Sequence, residues 1–174
     1  IIGDGAMGTL SGVMLAEHGI DVVLWSAFES HVTEIQRDRE NRRFLPGVPL
    51  PDSLRPTADA TALPRDAAFL LSAVPTPYLR GVLERIRGHL PAGVPVVSVT
   101  KGIENDTLLR PSQIIADVLA DEPRTIAVLS GPCIATEIGR RLPATVVVAC
   151  DDEPLRRAVQ ESMSSPYFRV YGNS

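Results

Sequence analysis

The sequence is short of the residues that staple a chain or anchor it. It has two cysteines, Cys133 and Cys150, too few for a disulfide framework and without zinc-ligand spacing. Its three histidines, His18, His31 and His89, are scattered and are expected as solvated or capping groups at helix ends and surfaces. Both features fit a reducing cytoplasm. The longest apolar stretches, 67–74 and 145–149, fall far below the roughly 20 residues that cross a bilayer. No basic-then-apolar leader opens the sequence, so no secretory signal is expected. Positive charge is not in excess: the net charge is −4 and the pI about 5.4. Broad electrostatic binding to nucleic acid or to an anionic membrane is therefore not expected. Lysine is the scarcest charge of all, since Lys101 is the only lysine among 17 basic residues. An ammonium is a compact point charge and a guanidinium a planar fork, so a chain that otherwise uses arginine singles out position 101.

What is present is the composition of one soluble globular domain, with 174 residues, 44% of them apolar and 22% charged. Such a chain buries a core, which excludes disorder as its main state. The opening Ile1-Ile2 reads as the end of a strand, and Gly3-Asp4-Gly5-Ala6-Met7-Gly8 follows it. A strand, then GxGxxG, then a helix is the context that seats a dinucleotide. The first glycine allows the tight turn, the second lets the backbone approach a diphosphate, and the third packs the helix against the strand. The helix is expected over Ala6–Glu17, with Gly19 just past its end. Its free N–H groups favour an anion.

A second strand over Asp21–Ser26 ends in Trp25, expected in the core at the strand end and beside the adenosine site. Neither an acid for an adenosine ribose nor a base for a 2′-phosphate stands at its tip, so NAD and NADP both stay open. A helix over Glu29–Glu40 leads to Asn41-Arg42-Arg43-Phe44-Leu45-Pro46-Gly47. Arg42 and Arg43 read as a solvated pair or as a phosphate site. The prolines at 46, 49, 51 and 56 then impose an extended excursion. Strands follow over Ala67–Val74, Val94–Val99 and Thr125–Ser130, with helices over Tyr78–Arg87, Thr107–Ala120 and Ile134–Arg141. The chain closes with a strand over Ala144–Cys150, a helix over Pro154–Met163 and a strand over Tyr167–Tyr171. Lys101 thus falls at the carboxyl end of a central strand, where α/β sheets hold ligands. Cys133 falls at a helix start, where a nucleophile is conceivable, yet no histidine partner is near in sequence and a small packing or hydroxyl-like residue is the favoured reading. The expected fold is a doubly wound α/β domain, mainly parallel, with an added strand–helix–strand at its C-terminal end.

These motifs come in a specific order. GxGxxG at Gly3–Gly8, NRRFLPG at Asn41–Gly47, AVP at Ala73–Pro75 and TKG at Thr100–Gly102 are followed by LSGP at Leu129–Pro132, LPATVVVA at Leu142–Ala149 and SSPYFRVY at Ser164–Tyr171. In this order and spacing the chain resembles the N-terminal, Rossmann-type domain of NAD(P)-dependent sn-glycerol-3-phosphate dehydrogenase, over essentially its whole length. The resemblance implies that Gly3, Gly5, Ala6, Met7 and Gly8 hold the cofactor diphosphate. It places Ala27 near the adenosine, where bacterial relatives often carry a basic residue. It sets Tyr78, after Pro75, against the cofactor, and Ala135 as a further cofactor contact. Lys101 would lie close to nicotinamide and substrate, with Gly131 and Cys133 as substrate contacts. The implied substrate pair is glycerol 3-phosphate and dihydroxyacetone phosphate, a route to glycerophospholipid precursors. A homodimer is left open.

The departures from the family are equally specific. Its principal catalytic lysine and its helical substrate domain lie beyond the end of this chain. Asp4 stands where a small residue is usual, Met7 where an aromatic is, Cys133 where Ser or Thr is, and Thr136 where a base is frequent. A carboxylate about 6 Å from a diphosphate oxygen costs roughly 2–3 kcal/mol at an effective dielectric near 20. The 174 residues alone are therefore expected to bind cofactor weakly and to turn over little. A nucleotide-sensing module without chemistry is the competing class, and a dehydrogenase of another 2-oxo or 2-hydroxy substrate a third. A sensor has no need for a lysine in the crevice, and TKG and LSGP argue against the third reading.

Overall fold

The apolar runs form short strands in a computed structural model that describes residues 1–174. After the opening come α1 (Ala6–Glu17), β1 (Val22–Trp25), α2 (Glu29–Asp38), β2 (Leu54–Thr57) and β3 (Leu70–Ser72). Then follow α3 (Thr76–Ile86), β4 (Val96–Ser98), α4 (Pro111–Val118) and β5 (Ile126–Ser130). The last elements are α5 (Ala135–Gly139), β6 (Ala144–Ala149), α6 (Glu153–Met163) and β7 (Phe168–Asn173).

Strands β1 and β2 pair in parallel, and β3 to β7 form a sheet in chain order. Ile2 joins the two groups, because it bridges in parallel to Trp25 on one side and to Ser72 on the other. The order is therefore β2, β1, the Ile2 strand end, β3, β4, β5, β6, β7. Every pairing is parallel except β5 with β6, which is antiparallel, and β6 with β7 is parallel again. That is the expected doubly wound sheet with its added strand–helix–strand.

One apolar cluster lies on the face of the sheet covered by α1, and Ile138 of α5 and Leu155, Val159 and Met163 of α6 belong to it. Helix α1 is buried along Gly8–Ala16, as a helix with neighbours on all sides must be. A second cluster fills the other face, where Leu79, Leu83, Ile114 and Ile115 of α3 and α4 cover Leu70 and Val96. Those helices do not reach the last strands. In β6 and β7, Val146, Val148, Phe168 and Val170 point into the core, while Val147, Ala149, Arg169 and Tyr171 face solvent.

The structure corrects several expected boundaries. The proline-rich excursion contains a strand, β2, with Pro56 opposite Leu24. Proline lacks the N–H for a second neighbour, and β2 is an edge strand, the one position in a sheet where that loss is tolerated. Helix α2 stops at Asp38 because Arg39 turns left-handed (φ 49°), and its guanidinium donates to the Pro51 carbonyl at 2.5 Å. Helix α3 starts at Thr76, two residues early, since Pro77 is welcome in a first turn. Helix α4 starts at Pro111, later than expected, because Glu104 and Thr107 are occupied in loop contacts.

Candidate functional site

The carboxyl ends of Ile2, β1, β3, β4 and β5 converge on one edge of the sheet. Here the glycine loop turns into α1. Gly3 has φ +105°, and a Cβ there would sit 3.0 Å from the Ala73 carbonyl carbon, so only glycine fits. A Cβ at Gly8 would lie 2.0 Å from the Gly3 carbonyl oxygen, which fixes the close approach of helix to loop. Gly5 differs from both: its φ of −63° suits any residue, and a Cβ there would meet nothing within 4 Å. As the N-cap of α1 a glycine is modestly favoured there, but no steric demand of the protein requires one. Space kept clear beside the unpaired start of a helix suits a ligand that lies on the backbone.

The helix start is prepared for an anion. Helix α1 has no side-chain cap, and the N–H groups of Gly5, Ala6, Met7 and Gly8 find no acceptor in the protein. Their direction is set from below. Asn41, buried in the turn after α2, donates from Nδ2 to the Asp4 carbonyl (2.7 Å) and to Thr9 Oγ1 (2.8 Å). Thr9 Oγ1 donates to the same carbonyl at 3.1 Å. In a trans peptide C=O and N–H point opposite ways, so this grip turns the Gly5 N–H outward.

Asp4 does not face the helix start as its place in the loop suggested. Its side chain is buried, and Oδ2 lies 3.1 Å from His31 Nδ1. His31 Nε2 lies 2.6 Å from Arg43 Nη1. A guanidinium only donates, so Nε2 accepts, and Nδ1 carries the hydrogen directed at Asp4. The expectation of a solvated or capping histidine is thus corrected for His31, which links a carboxylate to a guanidinium through one ring. Phe28 and Phe44 pack around that ring, at centroid distances of 4.9 and 5.9 Å. His18 does cap, with Nδ1 2.8 Å from the Met14 carbonyl at the end of α1.

The second half of the edge is built around Lys101. Thr100 Oγ1 donates to the Val74 carbonyl (2.8 Å) and Thr76 Oγ1 to the Lys101 carbonyl (2.8 Å), tying the loop after β4 to the loop after β3. Gly102, at φ +120°, lets the chain pass Thr76. Beyond it Arg80 of α3 clasps Glu104 (2.9 Å) and Asp117 (2.6 Å). The hydrogen bonds from Arg80 and then Thr107 hold the Glu104 carboxyl below its ordinary range, and the two carboxylates raise the Arg80 guanidinium. With its backbone fixed, Lys101 extends Nζ to the Gly131 carbonyl at 2.7 Å and to Cys133 Sγ at 3.7 Å. Gly131 has its own packing reason, since a Cβ there would be 2.7 Å from the Thr145 carbonyl oxygen. Three positions far apart in sequence, Lys101, Gly131 and Cys133, are thereby in contact.

Comparison with known proteins decides the family. Residues 1–156 match the family model described as NAD-dependent glycerol-3-phosphate dehydrogenase N-terminus. The chain belongs to the glycerol-3-phosphate dehydrogenase family. It is 41% identical over 174 residues to the glycerol-3-phosphate dehydrogenase (NAD(P)+) of Corynebacterium glutamicum, and 42% identical to enzyme 2 of that name from Mycobacterium tuberculosis. In each case all of this chain is matched to 52% of the relative, so the chain spans about half the length of these relatives. The crystal structure of glycerol-3-phosphate dehydrogenase from Coxiella burnetii superposes with a TM-score of 0.91 at 31% identity, covering 99% of this chain and 52% of that one. The Plasmodium falciparum enzyme gives 0.86 at 27% identity, covering 99% and 51%. Within this dehydrogenase family the chain is the N-terminal, Rossmann-type half.

The remaining residues expected in the site line the same edge of this dehydrogenase half. Pro75 precedes α3, and Tyr78 stands exposed on its first turn. Ala27 follows β1, beside exposed Phe28. Ala135 is buried at the start of α5, a helix of only 5 residues that is shorter than expected. Trp25 lies wholly in the core, its indole donating to the Ala58 carbonyl at 3.1 Å under the Arg85 guanidinium. Sequence reasoning missed Asn41, Thr76, Arg80 and His31, which shape the site from behind. Only NRRFLPG hinted at the first. A cavity of about 500 Å³ opens at the opposite, amino-terminal ends of β1 and β3, between Ile1, Val22 and Phe69. Asp21, Arg55, Asp66 and Ser162 also line it, away from the edge that holds the glycine loop and Lys101.

Proposed function

We propose that this chain is the cofactor-binding half of an enzyme that interconverts sn-glycerol 3-phosphate and dihydroxyacetone phosphate using NAD or NADP. The observation that carries the reading is the fixed position of Lys101, its Nζ 2.7 Å from the Gly131 carbonyl, on the same sheet edge as an open glycine loop. The loop fits a diphosphate: Gly5 leaves room, four N–H groups await an acceptor, and Asp4 has its carboxylate turned to His31. That last feature removes an objection to binding that the sequence raised, and weakens the case for a module that has lost its ligand.

The residues divide the work. Gly3, Gly5, Ala6, Met7 and Gly8 hold the diphosphate. Ala27 borders the adenosine, and Pro75, Tyr78 and Ala135 border the cofactor further along. When bound, the dinucleotide exchanges a hydride with C2 of the substrate. Lys101 acts on the oxygen of that carbon. In reduction the carbonyl oxygen gains negative charge, and a positioned ammonium stabilises it and helps to deliver a proton as the hydroxyl forms. In oxidation the same group stabilises the alkoxide as that proton leaves. Lys101 is both a cofactor contact and a substrate contact, with Gly131 and Cys133 completing the substrate side.

We assign a cytoplasmic setting and small phosphorylated molecules as partners, supported by two free thiols and a net charge of −4. No helix is long and apolar enough to cross a membrane. The test is Lys101→Ala in a protein that joins these residues to a C-terminal half like that of the relatives. Turnover of dihydroxyacetone phosphate is expected to fall at least a hundredfold while the cofactor Kd changes less than threefold. Undiminished turnover would overturn the catalytic role.

A further inference from the structure

Position 27, where a basic side chain would face the adenosine, carries alanine. The structure brings a different cation to that corner. Arg43 and Arg42 are neighbours in sequence but not in role. Arg42 is taken up by Asp38 and Glu40, at 3.4 Å each. Arg43 has no carboxylate partner. Its guanidinium is held by His31 Nε2 at 2.6 Å and lies 5.4 Å over the Phe44 ring. His31 in turn packs on Phe28, the residue next to Ala27, and reaches back to Asp4 of the glycine loop. Arg43 is therefore one imidazole away both from the loop that would hold the diphosphate and from the exposed Phe28 beside the adenosine position.

We propose that Arg43, held by His31 and Phe44, supplies the positive charge that binds the 2′-phosphate of NADP, in place of a basic side chain at Ala27. The chemistry matches. A 2′-phosphate is a phosphomonoester with close to two negative charges, and a guanidinium fork can give it two parallel N–H donors. His31 takes only one of the N–H groups of Arg43, so others are free to point outward. The nearest carboxylate in the loop, Asp4, is engaged by His31 and does not compete for Arg43. Glu34, Asp38 and Glu40 line a pocket with His31 and Arg43, and Asp38 and Glu40 are paired with Arg42. Glu29 stands exposed in the first turn of α2, where it would favour a free 2′-hydroxyl instead. Unpaired Arg43 against exposed Glu29 is the choice between the two cofactors.

The proposal rests on the cofactor reading above, and the experiment separates the two. Wild type, Arg43→Ala, Arg43→Lys and the double variant Ala27→Arg/Arg43→Ala are titrated calorimetrically with NADPH and with NADH. Folding is checked by circular dichroism. Arg43→Ala is expected to weaken NADPH at least tenfold and NADH less than twofold. Arg43→Lys retains part of the NADPH affinity, because it keeps the charge and loses the fork. Ala27→Arg restores NADPH binding in the Arg43→Ala background. Unchanged NADPH affinity in Arg43→Ala, or equal losses of both cofactors, overturns the proposal, as does a wild-type preference for NADH that Glu29→Gln abolishes. Failure of wild type to bind either cofactor overturns the cofactor reading itself.

Discussion

One buried amide sets the direction of the Asp4–Gly5 peptide. Asn41 contributes two donors from Nδ2 and accepts from the Phe44 N–H at 3.2 Å, so nearly all of its hydrogen-bonding capacity is used. Removing it leaves Thr9 as the only donor to the Asp4 carbonyl and frees the peptide to rotate. Asn41→Ala is expected to raise the NADH Kd about tenfold and to cost about 1–3 kcal/mol of stability. Asn41→Asp keeps the volume but sets an acceptor against an acceptor, so its losses exceed those of Asn41→Ala. Calorimetry and thermal denaturation of the two variants check this order, and equal or smaller losses in Asn41→Asp would contradict it. The role is not legible in the sequence, because 37 residues separate Asn41 from Asp4 and no local pattern couples them. The same holds for Asp4 itself. Read alone it is a carboxylate beside a diphosphate; in the fold, α2 brings His31 to it and turns it aside.

At the scale of elements, α3 is the strut of the edge that holds Lys101. Thr76 grips the Lys101 carbonyl, and one turn later Arg80 clasps Glu104 in the loop beyond. The Arg80–Glu104 pair has a pH signature with a definite sign. The folded-state carboxyl of Glu104 is depressed below its ordinary 4.5, so it binds protons less readily than in the unfolded chain. Its stabilisation is fully present above that value and is lost as pH falls through the depressed range. The difference in Tm between wild type and Arg80→Met is therefore expected to be constant from about pH 8 to about pH 6, and to shrink as the pH is lowered through about 4. A gap that stays constant to pH 3 would show that Arg80 acts by packing alone. Such clamps escape sequence reading, since Arg80 looks like any charged residue on an amphipathic helix. Strands fared better, because Leu70–Ser72, Val96–Ser98 and Ile126–Ser130 sit inside apolar runs bounded by turn residues. Strand β2 did not. Pro56 argues against a strand unless one knows that it lies on the edge.

Over the whole molecule, the order of the motifs in sequence becomes an order in space. Gly3–Gly8, Ala73–Pro75, Thr100–Gly102 and Leu129–Pro132 each end a parallel strand, and parallel strands deliver all their carboxyl ends to one edge. That is why so much of the site was legible: a strand end followed by glycine or proline is visible in one dimension. The contact of Lys101 with Gly131 and Cys133 follows from β4 lying beside β5. What lies behind the edge was not legible, because it depends on where α2 and the excursion after it pack. The central claim is that the open space at Gly5 belongs to a dinucleotide. A Gly5→Val substitution tests it most directly, since the φ and ψ of Gly5 suit valine and the new Cβ touches no protein atom. The measurement is calorimetric titration of Gly5→Val and wild type with NADH and NADPH, with thermal denaturation run alongside. The account predicts stability within about 1 kcal/mol of wild type, the modest cost of a poorer N-cap, and loss of saturable cofactor binding. Cofactor binding equal to wild type in a folded Gly5→Val protein would contradict it.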